Sequence, residues 1–170
     1  MANKAFSIVP QYAFREITDI TTDFLVRLGI KFFMLDLDNT IAAYDEHYPS
    51  DRVMQWFAEI RDNGIALFII SNSTRVSRVE AFSNALGVGF IMRARKPSPN
   101  GLKAAIDEAD YSAEVSAFAG DQVFTDILAA NRAGVVSIIV RPKRFTNPFL
   151  ALRYYIEVPF RALCKGKTNV

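Results

Sequence analysis

From residue 31 onward the chain alternates short apolar runs with amphipathic stretches. FFMLDLD (32–38) predicts a buried strand that ends in acids. Residues 50–62 follow Pro49 and stop at Asn63-Gly64, the mark of a capped helix. IALFII (65–70) predicts a second strand, and residues 74–86 a helix closed by Gly87. VGFIM (88–92) is a short third strand, followed by a helix over 98–110 with Pro99 near its first turn. VSAFAGD (115–121) is a fourth strand, again ending in an acid. FTDILAANRA (124–133) is a helix closed by Gly134, and VSIIV (136–140) a fifth strand.

Strands alternating with helices imply crossover units, hence an α/β fold with a parallel five-stranded sheet and helices on both faces. The strands are continuous apolar runs, as burial from both sides requires. In such folds ligands bind beyond the carboxyl ends of the strands. The polar residues of this chain gather there: Asp36 and Asp38, Ser71 and Asn72, and Asp121.

A length of 170 residues suits one domain, divided into an N-terminal extension (1–30), a core (31–140) and a tail (141–170). The single cysteine, Cys164, excludes an intrachain disulfide and, with the single histidine, His47, a four-ligand zinc site. The N-terminus lacks the apolar run of a signal peptide, and no stretch approaches the roughly 20 apolar residues of a transmembrane helix. The expected location is therefore cytoplasmic. Residues 1–140 carry 13 Lys/Arg and 17 Asp/Glu, a balance of −4; residues 141–170 carry 7 and 1, a balance of +6. An acidic body argues against nucleic acid as the partner.

DLDNT (36–40) places two acids two residues apart. In extended backbone these share a side while Leu37 packs away. A lone pair of this kind is most often a solvated strand end. Likewise Ser71 or Ser73 in SNSTR (71–75) could merely cap a helix, Lys96 in RARKPSPN (93–100) could be solvated, and Asp126 in GDQVFTD (120–126) could simply favour a first helical turn. The set is harder to dismiss. A pair of like charges about 4 Å apart costs on the order of 4 kcal/mol at an effective dielectric of 20. Four carboxylates at adjacent strand ends ask for compensation, which a divalent cation and Lys96 would supply. Oxygen donors without His or Cys favour a hard ion such as Mg²⁺.

The order DLDNT, SN, KP, GDQVFTD resembles the haloacid dehalogenase (HAD) superfamily, a Rossmann-like three-layer sandwich. LDLDNTI, ISNS, ARKP and AGDQVFTDILAANRAG are similar to the YqeG-like group of its class III phosphatases, related to mitochondrial phosphatidylglycerophosphate phosphatase. The resemblance implies a Mg²⁺-dependent phosphomonoesterase. Asp36 would be the nucleophile that forms an aspartyl-phosphate. Asp38 would protonate the leaving group, activate water and offer its backbone carbonyl to the metal. Ser71, Asn72 and Lys96 would hold phosphate, Lys96 also steadying Asp36; Asp121 would ligate the metal, with Asp126 touching it directly or holding another of its ligands. Thr40 could orient the turn.

Ser71 lies only 33 positions after Asp38, and Lys96 only 23 after Ser73, which leaves no room for a cap domain. An open site suits a large substrate, with phosphatidylglycerophosphate favoured by the resemblance. A nucleotide, sugar phosphate or phosphoprotein substrate stays open, as does a phosphate- or metal-binding regulator without turnover. AAYDEHYP (42–49), carrying His47, is the expected flap over the site. The tail, with Arg153, Arg161, Lys165 and Lys167 among apolar residues, reads either as a helix docked on the body and broken near Pro159 or as an amphipathic segment for peripheral contact with an anionic membrane. A second subunit over the open site is left open.

Overall fold

The computed structural model describes residues 7–145, 148–164 and 166–167. The elements are β1 (Tyr12–Ala13), α1 (Thr22–Arg27), β2 (Phe32–Leu35), α2 (Asp51–Asp62), β3 (Ala66–Ile70), α3 (Val76–Leu86), β4 (Gly89–Ile91), α4 (Asn100–Glu108), β5 (Ser116–Gly120), α5 (Leu128–Ala133), β6 (Val136–Ile139), α6 (Pro148–Ala162) and β7 (Gly166–Lys167). They form one parallel sheet in the order β4-β3-β2-β5-β6-β1-β7. The expected α/β sandwich is present. The strand count is corrected from five to seven, because two-residue strands from the N-terminal extension and the tail extend the β6 edge.

Residue alternation along each strand builds two cores. Phe33 and Leu35 of β2 face one side, with Ile69 of β3 and Ala119 of β5, against Trp56, Phe57 and Ile60 of α2 and Val79 and Phe82 of α3. Phe32, Met34, Phe68 and Phe118 face the other, against Leu102 and Ala105 of α4 and Ala129 and Ala130 of α5. Both faces of the central strands are thus dry, which explains their unbroken apolar runs. A third cluster, Ala13, Val123, Ile127, Ile139 and Cys164 with Phe124 and Phe160, seats α6.

This register positions the site. Leu35 pairs with Ile69 on one side and Ala119 on the other, so β2, β3 and β5 end level. Between the ends of β2 and β3 and the next strands the described chain holds the 36–50 segment, α2, α3 and short connections, and no cap layer. The helix reading of the tail needs one correction: Pro159 lies inside α6, which continues to Ala162. Lys165 and the last three residues of the expected tail lie outside the described residues.

Candidate active site

β2 delivers Asp36 directly beyond Leu35, and the chain then turns at once. Asn39 adopts a left-handed conformation (φ 62), which Asn tolerates better than most residues. The N–H groups of Ile41 and Ala42 return to the carbonyl of Leu37. The turn brings Thr40 Oγ1 to Asp36 Oδ2, to which it donates over 3.3 Å. Thr40 thus orients the acid as well as the turn.

Lys96 reaches the other oxygen. Its Nζ donates to Asp36 Oδ1 at 2.5 Å and to the Ile70 carbonyl at 3.0 Å, and lies 2.8 Å from Asp126 Oδ1. Arg93 and Arg95, both exposed, take left-handed backbone (φ 49 and 56) in the turn that presents it. Asn72 spends its side chain on the same turn: its Oδ1 accepts from the Lys96 N–H at 2.9 Å, and its Nδ2 donates to the Lys96 carbonyl at 3.0 Å. Ser71 is fully buried, and its Oγ accepts from the Ser73 N–H at 3.0 Å.

Asp121 follows β5, and Asp126 lies in the π-helical turn Val123–Ile127 that leads into α5. Such turns recur at functional sites. Asp126 Oδ2 accepts from the Gln122 N–H at 3.0 Å. Asp36, Asp121 and Asp126 are all buried, and each offers an oxygen within 4.8 Å of the others. Asp121 Oδ1 is buried without a hydrogen-bond partner. Burial pushes the Asp36 carboxyl up to about 7, with Lys96 opposing and Asp126 and Asp38 adding. Burial, Asp126 and Asp36 likewise drive the Asp121 carboxyl well up. Burial alone would lower the Lys96 ammonium, but Asp126 and Asp36 raise it, so it stays charged. Three packed carboxylates facing one ammonium, with an orphaned oxygen among them, fit a hard divalent cation held by oxygen.

Asp38 goes elsewhere. Its Oδ1 accepts from Arg78 Nη1 of α3 at 2.6 Å and lies 3.6 Å from Arg75 Nη2. The structure therefore brings Asp36, Lys96, Asp121 and Asp126 into one cluster, with Ser71 and Asn72 at its edge and the Asp38 carboxylate on a separate cation. His47 is exposed on the flap.

Residues that the sequence did not place in the site also converge here. Arg78 is one. Tyr44 of the flap is another, its phenol raised to about 12 by burial and by Asp38, Asp121 and Asp36. The tail supplies more. Arg161 donates to the backbone carbonyls of Asp121 and Val140 and to Glu157 Oε2, while the buried Glu157 accepts from the Phe124 N–H. Tyr154, Arg153 and Arg161 line a narrow crevice with Asn39 and Asp121. The one sign of this in the sequence is Glu157, a lone acid in a basic segment, four residues before Arg161.

The sequence profile of haloacid dehalogenase-like hydrolases matches residues 7–134. The probable phosphatase YqeG of Bacillus subtilis is 34% identical over 155 residues, which cover 91% of this chain and 89% of that protein. Among solved structures, the 3-deoxy-D-manno-octulosonate 8-phosphate phosphatase of Moraxella catarrhalis, in complex with magnesium, phosphate and KDO, superposes with a TM-score of 0.59 at 18% identity, over 87% of this chain and 82% of that one. The cobalt-bound phosphatase YrbI of Haemophilus influenzae gives a TM-score of 0.52 at 21% identity, over 66% and 69%. These two likenesses bear on the fold; the profile and the YqeG match bear on descent. The chain belongs to the haloacid dehalogenase-like hydrolases, among their YqeG-like phosphatases.

Proposed function

We propose that the chain hydrolyses phosphomonoesters through an aspartyl-phosphate on Asp36, with Mg²⁺ as cofactor. The observation that carries this reading is the state of Asp36: buried at a strand end, its two oxygens oriented by Lys96 and Thr40, beside two further buried acids. A carboxylate so held is aimed rather than mobile, and orientation of the attacking group is a large part of what an enzyme supplies.

An Asp36 oxygen attacks phosphorus, and the bond to the ester oxygen breaks. Asp38 donates a proton to the departing oxygen, then takes one from the water that attacks the aspartyl-phosphate and returns Asp36 to its carboxylate form. Lys96, the Ser71 hydroxyl and the Asn72 backbone amide hold the phosphoryl oxygens, while the Asn72 side chain fixes Lys96 through its backbone. Asp36, Asp121, Asp126 and the Asp38 carbonyl would hold Mg²⁺. When bound, the ion offsets the acids and the charge that gathers on the phosphoryl oxygens.

The favoured substrate is phosphatidylglycerophosphate or a related phosphorylated head group at an anionic membrane surface. The support is α6. One side of it docks beside Asp121 through Arg161, while Phe149, Leu152, Tyr155 and Ile156 stand exposed on the other, Phe149 and Tyr155 at 70%. No described helix is long and apolar enough to cross a membrane. An amphipathic helix next to an open site would lie in the lipid interface and present head groups to it. Asp36→Asn tests the chemistry: it keeps the side chain's shape and should abolish Mg²⁺-dependent phosphate release while the protein stays folded. Substantial residual turnover in that variant rules the mechanism out.

A further inference from the structure

We infer that Arg78 is a positioning residue for catalysis: it acts through Asp38, fixing which oxygen of that carboxylate faces the leaving group. The inference rests on the phosphatase reading above.

Arg78 sits in the first turn of α3 with its side chain 3% exposed, and it uses every edge of its guanidinium. Nη1 donates to Asp38 Oδ1 at 2.6 Å, Nη2 to the Ala43 carbonyl at 2.8 Å and Nε to the Glu46 carbonyl at 2.8 Å, with the group 5.2 Å above the Phe82 ring. Burying a guanidinium is costly unless its donors are satisfied in good geometry, and here they are. The two carbonyls belong to the flap, and the carboxylate belongs to the acid pair at the end of β2. One side chain therefore locks flap and acid to α3.

The division of cations is the second observation. Lys96 serves Asp36 and Asp126; Arg78 serves Asp38. Arg75, the residue just before α3, reaches the same Asp38 oxygen at 3.6 Å and the Tyr44 carbonyl at 3.1 Å. Both arginines approach Oδ1, and among the described residues nothing donates to Oδ2. With Oδ1 held, Oδ2 is left to carry the proton that passes to the ester oxygen as the P–O bond breaks, and later to accept the proton of water. Removing the clasp frees the carboxylate to rotate and loosens the flap together.

Loss of proton donation has a signature that simple destabilisation lacks. A departing nitrophenolate needs no proton, whereas a departing alkoxide does. The test compares kcat/KM, which reports the steps up to departure of the leaving group and not the shared hydrolysis of the aspartyl-phosphate, for p-nitrophenyl phosphate and for a glycerol phosphate across wild type, Arg78→Gln, Arg78→Lys and Asp38→Asn, plus the Arg78→Gln/Asp38→Asn double variant. Arg78→Gln should lower alkyl-phosphate turnover at least ~10-fold more than aryl-phosphate turnover, within the range of a positioned proton donor. Asp38→Asn should show the same skew, and the double variant no further skew. Arg78→Lys, which keeps the charge but not the fork, should fall between. Equal losses on both substrates, full additivity in the double variant, or unfolding of both Arg78 variants would show a merely structural arginine and overturn the inference. Absence of wild-type turnover on either substrate would instead overturn the phosphatase reading, and the inference with it.

Discussion

Asp126 occupies the space that a side chain at residue 120 would need. A Cβ on Gly120 would stand 2.4 Å from Asp126 Cγ and 2.5 Å from its Oδ2. β5 must therefore end in glycine for the π-helical turn to fold an acid back over the strand end beside Lys96. Gly120→Ala should displace Asp126, weaken Mg²⁺ affinity by roughly 10–100-fold, the scale seen when support for a metal ligand is lost, and lower activity in proportion. Calorimetric titration with Mg²⁺ on the folded variant checks this; unchanged affinity would show that Asp126 takes no part in holding the ion.

Among the described residues, Lys96 is the one cation paired with the buried acids Asp36 and Asp126. Lys96→Met replaces it with a side chain of similar length and leaves Asp36 and Asp126 facing each other uncompensated. Breaking a buried pair in this way costs on the order of 3–5 kcal/mol. For a chain of this size that is a fall of roughly 10 °C in Tm. Thermal unfolding in chelator measures it, and Mg²⁺ should recover part of the loss without restoring turnover. A Tm equal to wild type would mean that the ammonium is not what offsets the acids.

The direction of pH dependence follows from Asp36. Its folded pKa of about 7 stands above the ordinary 3.8, so the folded state binds more protons than the unfolded chain between those values. Stability of the metal-free protein should therefore fall as pH rises through that window, and Asp121, also raised, adds to the fall. Lys96 is raised from 10.5, so its contribution is complete below that value and does not change in the window. In chelator, Tm should be lower at pH 8 than at pH 6, and the gain on adding Mg²⁺ should be larger at pH 8. A metal-free Tm that climbs from pH 6 to pH 8 contradicts the burial of ionisable Asp36.

The exposed side of α6 makes a separate claim. Leu152 and Ile156 stand on it at 59% and 53% exposure, away from Arg161 and Glu157. Replacing both with Ser should leave turnover of a soluble aryl phosphate unchanged and reduce co-sedimentation with anionic vesicles several-fold. Equal sedimentation of variant and wild type would remove the helix as a lipid contact.

The sequence exposes the centre of the fold because the central strands are dry on both faces. FFML, IALFII and SAFAG can be little else, and the acids that follow the first and the last cannot all be structural. The edges are different. Tyr12–Ala13 and Gly166–Lys167 are strands of two residues, too short for a period to register, and depend on partners from distant sequence. Lys96 was legible because it follows a strand and precedes a proline and a helix in company with the acids. Arg78 was not. In the sequence it differs in no way from Arg75, and only the fold buries the one and leaves the other exposed. Nor does the sequence tie the tail to the site; only the fold carries Arg161 to the backbone of Asp121.

The most direct test of the chemistry is to catch the covalent intermediate. Wild-type protein mixed with Mg²⁺ and p-nitrophenyl phosphate, quenched in acid within the first turnovers and digested, should yield a peptide carrying one phosphoryl group on Asp36. Asp36→Asn, treated alike, should yield none. A phosphoryl group on another residue, or equal labelling of the Asp36→Asn protein, would contradict the assignment of Asp36 as nucleophile.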